Sequence, residues 1–139
     1  VLITHDHLDQ MGHLPRLVKE GFNGPIWCTS PTSEIAKVIL EDSAKIQEEE
    51  AEHANRFGYS KHKEALPLYD LNVVQKTIPL FVSQPIKEWI TVADNIQVRF
   101  CYNGHIVGAT YIELKVNGKL ITFSGDIGRM KDPLLYPPE

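Results

Sequence analysis

The ten residues Thr4-His5-Asp6-His7-Leu8-Asp9-Gln10-Met11-Gly12-His13 constrain this chain more than any other stretch. They follow directly on an apolar run, Val1-Leu2-Ile3, that reads as a strand. Side chains alternate sides along an extended segment, so His5, His7 and Asp9 are expected to project in one direction. Imidazole and carboxylate are the groups that hold zinc and neighbouring first-row cations. A glycine and a helical apolar pattern (Met11, Leu14, Leu17, Val18) come next, which puts the cluster where a strand hands over to a helix. Ligands at the carboxyl end of a strand are the usual geography of an α/β site. The plain alternative is a polar surface loop that carries histidines by chance, and three alternating donor types argue against it.

Two later segments repeat the arrangement. Asn103-Gly104-His105-Ile106-Val107-Gly108-Ala109 sets one histidine between glycines, after a strand-like run over 97–101. Residues 120–123 form an apolar strand that ends in Ser124-Gly125-Asp126. Glycine admits backbone turns that other residues resist and lets the chain pass close to a ligand. His5, His7, Asp9, His105 and Asp126 therefore make a candidate metal constellation drawn from three strand ends.

Together, His-x-His-x-Asp, Gly-His-Ile-x-Gly-Ala and Phe-Ser-Gly-Asp-Ile-Gly-Arg resemble the successive metal motifs of the metallo-β-lactamase fold. Gly12-His13-Leu14-Pro15, Gly24-Pro25-Ile26-Trp27 and the run over 40–48 resemble its β-CASP branch, the nucleases that process RNA. The resemblance covers essentially the whole chain. It implies an α/β fold, a fragment of the αββα sandwich with a mixed sheet and flanking helices. It also implies a zinc-dependent hydrolase acting on RNA phosphodiesters. A first metal would take His5, His7 and His105, with Asp126 bridging. A second would take Asp9, residue 10, Asp126 and a histidine from farther along the family's sequence, with Asp9 orienting the attacking water. The family pattern reads His-x-His-x-Asp-His, and this chain has Gln10 where the last histidine stands. A glutamine carbonyl is neutral and a poorer zinc donor than imidazole, so one zinc is expected and the second site is weakened.

The chain opens on Val1 at what should be a central strand and stops soon after Asp126. It is accordingly expected to be a partial domain over 1–139, the core of the metal-binding half, with the N- and C-terminal parts of the full domain absent. Such a cut sheet leaves unpaired edges, so a homo-oligomer is expected, and so is weak catalysis by the fragment alone. The other readings are a thioester or lactam hydrolase on the same fold, and a catalytically impaired scaffolding or RNA-binding member, which Gln10 alone supports.

At 139 residues and 42% hydrophobic, the chain can bury a real core. It has no run of about 18 apolar residues that could span a membrane. With no leader visible, a cytoplasmic protein is expected. Cys28 and Cys101 fall in predicted strands and are expected to be buried free thiols. The net charge of −4 runs against a nucleic-acid partner, although the acidic excess is concentrated between residues 41 and 52.

Pattern supplies the remaining layout. Residues 1–4 are a predicted strand, 12–20 a helix with Pro15 in its first turn, and 26–29 a short strand. Ser30 should cap a long helix that begins with Pro31, its core stripe being Ile35, Val38, Ile39 and Ile46. Glu48-Glu49-Glu50 should be a solvated face of the same helix. Residues 57–67 are a polar, basic loop, and 71–80 a helix ending near Pro79. Strands follow at 89–92 and 96–101. A hairpin over 110–116 and 119–124 turns on Asn117-Gly118, which suits a type I′ turn. His13, His53 and His62 are expected to be surface residues.

Overall fold

Residues 1–3 run alongside strand β1 (Ile26–Cys28) and send alternate side chains into two different cores. A computed structural model describes residues 1–139. Leu2 is bridged in parallel to Trp27; the Ile3 N–H donates to Trp27 O at 2.9 Å and the Trp27 N–H to Val1 O at 2.9 Å. Strand β2 (Phe81–Ser83) lies parallel on the other side of β1, with Ile26 opposite Phe81 and Cys28 opposite Ser83. Strict alternation makes this narrow sheet a partition. Ile3, Ile26 and Cys28 face one way; Leu2 and Trp27 face the other.

Helices occupy the first side: α1 (Leu8–Met11), α2 (Leu14–Lys19), α3 (Ser30–Phe57) and α4 (Leu71–Thr77), the last followed by a 3-10 turn over Ile78–Leu80. Met11, Leu14, Leu40, Tyr69 and Val74 close over Ile3, Ile26 and Cys28. On the second side stands an antiparallel sheet in simple order, β3 (Ile90–Ala93), β4 (Ile96–Tyr102), β5 (Thr110–Val116) and β6 (Lys119–Phe123). Its Val98, Phe100 and Ile112 pack against Leu2 and Trp27. The order helix layer, sheet, sheet is the mixed α/β architecture expected, with parallel and antiparallel pairing both present. The hairpin turn is as predicted, Asn117 and Gly118 having φ of 48° and 77°.

Several expectations need correction. The first strand is shorter than residues 1–4, reduced to one bridge and its flanking bonds. Strand β2 was not foreseen, because three residues are too few to show a period. The largest correction concerns α3. Of the predicted stripe, Ile35 and Ile39 are half-buried and Ile39 packs on the core, but Val38 and Ile46 are 67% and 48% exposed; the fully buried face is Thr32, Ser33, Ala36, Leu40, Ser43, Ala44 and Ala54. Small residues let the helix lie close on β2 and α4, so a stripe read from large apolar side chains is only half right. Thr29, not Ser30, holds the cap position, and its hydroxyl makes no cap bond. Glu48, Glu49 and Glu50 are solvated, as expected.

Both cysteines are buried and unpaired, as expected. Burial, with the Asp6 carboxylate second, pushes the Cys28 thiol up to about 12. No helix is long and apolar enough to cross a membrane. Strand β6 is exposed along its length, with Leu120, Ile121 and Phe123 about half open to solvent.

The revised phase of α3 is directly testable. Leu40→Ala should destabilise the fold by about 2–5 kcal/mol, while Val38→Ala should stay within about 0.5 kcal/mol. Urea unfolding of the two variants decides it, since equal losses would mean the stripe has been misplaced.

Candidate metal centre

The backbone turns sharply once Ile3 is committed to the core. Residues 4–7 continue extended, His7 having φ −62° and ψ 143°, and α1 starts at Leu8 because Met11, one turn on, must be fully buried. His5 and His7 therefore alternate as expected, but Asp9 stands in the first turn of a helix and does not share their direction. Its carboxylate accepts from Gln10 Nε2 at 3.3 Å, on the exposed side.

Four of the predicted residues converge. One donor atom from each of His5, His7, His105 and Asp126 lies within 4.8 Å of all the others. His5 Nε2 is 3.2 Å from His7 Nδ1, and His105 Nε2 is 3.4 Å from the same atom. Asp126 Oδ2 lies 3.6, 3.9 and 3.5 Å from the donor nitrogens of His5, His7 and His105. Zinc–nitrogen bonds of about 2.0–2.1 Å in a tetrahedron require ligand atoms about 3.3–3.4 Å apart. The five separations bracket that edge. The rings stand nearly perpendicular, at 75°, 84° and 87°, so each points a nitrogen and not a face at the centre. This donor set fits a first-row cation. Asp9 and Gln10 lie outside it, though Gln10 and Asp126 both line a cavity of about 630 Å³ floored by Leu2, Ile3, Ile112 and Phe123.

Protonation favours the same use. Burial above all pushes His5 below its usual pKa, with the Asp126 carboxylate opposing and the neighbouring imidazoles reinforcing. A neutral imidazole is the ligating form. Thr4 Oγ1 is 3.0 Å from His5 Nδ1; with the proton there, the Nε2 lone pair faces inward. Side-chain exposure rises from 0% at His5 through 24% at His105 to 44% at His7 and 48% at Asp126, so the centre is open on one side. Asp6, between the two histidines, is buried with Oδ2 unpartnered, and burial raises its carboxyl above the usual range.

Polar residues that the motifs did not single out hold the segments in register. Thr4 O accepts from Thr110 N at 2.9 Å and from Thr110 Oγ1 at 3.2 Å. Asn103 is buried; its Oδ1 accepts from His105 N at 3.2 Å, its O from Gly128 N at 2.8 Å, and its Nδ2 donates to Ser124 O at 3.5 Å. It thus joins the His105 loop to the Asp126 segment. The Thr29 hydroxyl donates to Gly108 O at 2.6 Å, tying the same loop to the start of α3. Gly108 has φ +83°, and a Cβ there would lie 2.7 Å from Pro31 Cβ; at Gly125, φ +55°, it would lie 3.0 Å from Thr4 Cβ. The Asn-Gly pair before His105 was the one signal in sequence that could have marked Asn103. His13, His53 and His62 are exposed and take no part in the centre.

Comparison with known proteins supplies relatives along nearly the whole chain. Integrator complex subunit 11 of Danio rerio is 31% identical over 133 residues, which is 95% of this chain and 20% of the relative. A ribonuclease of Thermus thermophilus is 27% identical over 138 residues, 99% of this chain and 28% of the relative. Transcription termination factor FttA of Methanosarcina mazei is 28% identical over 139 residues, 99% and 20% respectively. The chain thus spans between about a sixth and somewhat over a quarter of the curated relatives it matches. No protein-family model matches it.

The donor geometry predicts about one equivalent of zinc on protein prepared without chelator, and His7→Ala should bring that below about a tenth. Asn103→Ala should weaken affinity about 10–100-fold, as loss of an outer bond to a ligand does. Affinity should fall as pH drops, because protons compete for the same nitrogens, and burial of His5 moves its share of that loss below the ordinary histidine range. Elemental analysis and competition with a chromogenic chelator read all three. A wild-type chain without metal at neutral pH would rule the centre out.

Proposed function

The chain belongs to the β-CASP branch of the metallo-β-lactamase fold, and from that premise we propose that it is the metal-binding part of a hydrolase that cleaves RNA phosphodiester bonds. The observation that carries this reading is the convergence of three imidazoles and a carboxylate at tetrahedral spacing, on a chain whose relatives include a ribonuclease. His5, His7, His105 and Asp126 are the residues that would hold zinc. A cation bound there would supply Lewis acidity, lowering the pKa of water toward about 7 and offsetting charge on phosphoryl oxygens.

The chain's own residues divide the remaining work. Asp9, exposed beside the centre, is proposed to accept a proton from the attacking water and to orient it. Asp126, half exposed, stands at the open side where a phosphate would approach. Gln10 offers only an amide, and its hydrogen bond to Asp9 engages the carboxylate that a second cation would need. One zinc per chain is therefore proposed, with slow hydrolysis by this chain alone. A thioester or lactam hydrolase on the same fold is the competing reading, and the relatives' names favour RNA over it. A scaffolding member without metal is disfavoured by the intact four-donor group. We further propose a cytoplasmic protein, in keeping with an RNA substrate. Self-association through the exposed edge of β6 is proposed as well. A clean monomer in light scattering at high concentration would sink that last point.

The test is a three-way assay of labelled single-stranded RNA, a chromogenic lactam and a thioester, with and without chelator. Slow cleavage of RNA alone is expected, abolished by chelation and by His7→Ala. In a full-length background, Gln10→His should raise metal content from about one toward about two per chain and raise RNA hydrolysis with it. Turnover of the lactam or thioester with RNA intact would overturn the proposal.

A further inference from the structure

Far from the metal centre, the C-terminal end of α3 displays a cluster of rings that the fold does not use. His53 and Phe57 meet at a tilt of 42° with ring centroids 4.4 Å apart, and His53 Nδ1 lies 3.1 Å from Tyr59 Oη. Phe57 and Tyr59 are 61% and 62% exposed, so neither ring belongs to the core. The Arg56 guanidinium lies 5.5 Å from the Phe57 ring centre. Lys61, His62 and Lys63 follow on the same loop, all exposed. Between His53 and Lys63 there are three basic residues and no acidic one, in a chain whose net charge is −4; Glu52 and Glu64 bracket the segment.

The loop is held and not merely draped. Gly58 closes α3 in the left-handed region, at φ 66°. Asn55 clamps Ala65 with two hydrogen bonds, Nδ2 to Ala65 O at 2.9 Å and Ala65 N to Oδ1 at 2.7 Å, and Leu68 N donates to Gln47 Oε1 at 3.1 Å. His62 N donates to Ser60 Oγ at 3.1 Å. Rings that offer open faces beside fixed cations are what binds single-stranded nucleic acid without regard to sequence: bases stack, and lysine and arginine meet the phosphates.

We infer that the His53–Lys63 segment is a second contact site for single-stranded RNA, with Phe57 and Tyr59 stacking bases and Arg56, Lys61 and Lys63 meeting the backbone. The inference rests on the RNA reading above and deepens it. Thr29, at the start of α3, touches the His105 loop, and the 28 residues of the helix carry the patch about 42 Å away. The two sites thus engage different parts of one strand.

Fluorescence anisotropy of a labelled, unstructured 20-nucleotide RNA (the length is chosen to reach both sites) tests it on the whole chain. Phe57→Ala with Tyr59→Ala should weaken binding on the order of tenfold or more, and Tyr59→Phe, which keeps the ring, should not. Replacing Arg56, Lys61 and Lys63 by alanine should lower the slope of log affinity against log salt by about 2. Unchanged affinity in the ring and charge variants, with RNA still cleaved, would overturn the second site and leave the hydrolase proposal standing. RNA bound at the patch while only lactam is hydrolysed would overturn the hydrolase proposal alone. Binding of the patch to phosphatidylserine vesicles and not to RNA would overturn the second site in favour of a membrane surface.

Discussion

One backbone oxygen joins the two ends of this fold. Thr4 O accepts from both the N–H and the hydroxyl of Thr110, 106 residues later, at the point where the first motif leaves the core. Thr110 is fully buried, so these bonds form in a medium where losing them would strand polar groups. The contact fixes His5 relative to β5, and β5 in turn carries the hairpin whose far strand leads to Asp126. The apolar contacts of Leu2 and Trp27 with that sheet do not by themselves specify register, which this pair of bonds supplies.

From that anchor the donor atoms follow by short, rigid steps. His5 is one residue past the anchor, His105 five residues before it, and Asp126 three past the end of β6. Asn103 spans the second and third of these. Three segments far apart in sequence are thus brought within one ligand sphere by buried hydrogen bonds that cost little flexibility. The same economy explains the glycines, since Gly108 and Gly125 stand where the segments pass too close for any side chain. Pre-forming the site in this way puts the cost of gathering like imidazoles on folding and not on metal capture.

Much of the centre was legible in sequence because ligand chemistry is conspicuous: histidines and carboxylates at strand ends have few other reasons to cluster. His5, His7, His105 and Asp126 were each identifiable in that way, and they converge. Asp9 was placed with them by a strand period that ends at Leu8, where burial of Met11 imposes a helix. The supporting hydroxyls of Thr4, Thr29 and Thr110 were not legible, since threonine in a strand looks like propensity and its partner is far away in sequence. Strands β4, β5 and β6 were recovered within about a residue at their ends, where alternation and a glycine turn agree, whereas β2 is three residues paired by tertiary contact. The α3 stripe was half misread, at Val38 and Ile46, for a related reason. Periodicity weighs large apolar side chains, and this helix buries small ones.

That choice of small residues along α3 reverses the usual pattern of mutational tolerance. In an ordinary amphipathic helix, truncation of a large core side chain is what hurts. Here Ala36 and Ala44 are fully buried, and Ser33, Ser43 and Ala54 nearly so, so only Leu40 leaves much of a hole when cut back. Growth is the sensitive direction: an added methylene at Ala36 or Ala44 meets a packed interior and must push the helix off β2 or α4. Because the first turn of α3 is bonded to the His105 loop, such a push would reach the loop that positions a metal ligand. A drift of this chain toward bulkier residues on that face would therefore show first as lost ligand geometry and only later as lost folding.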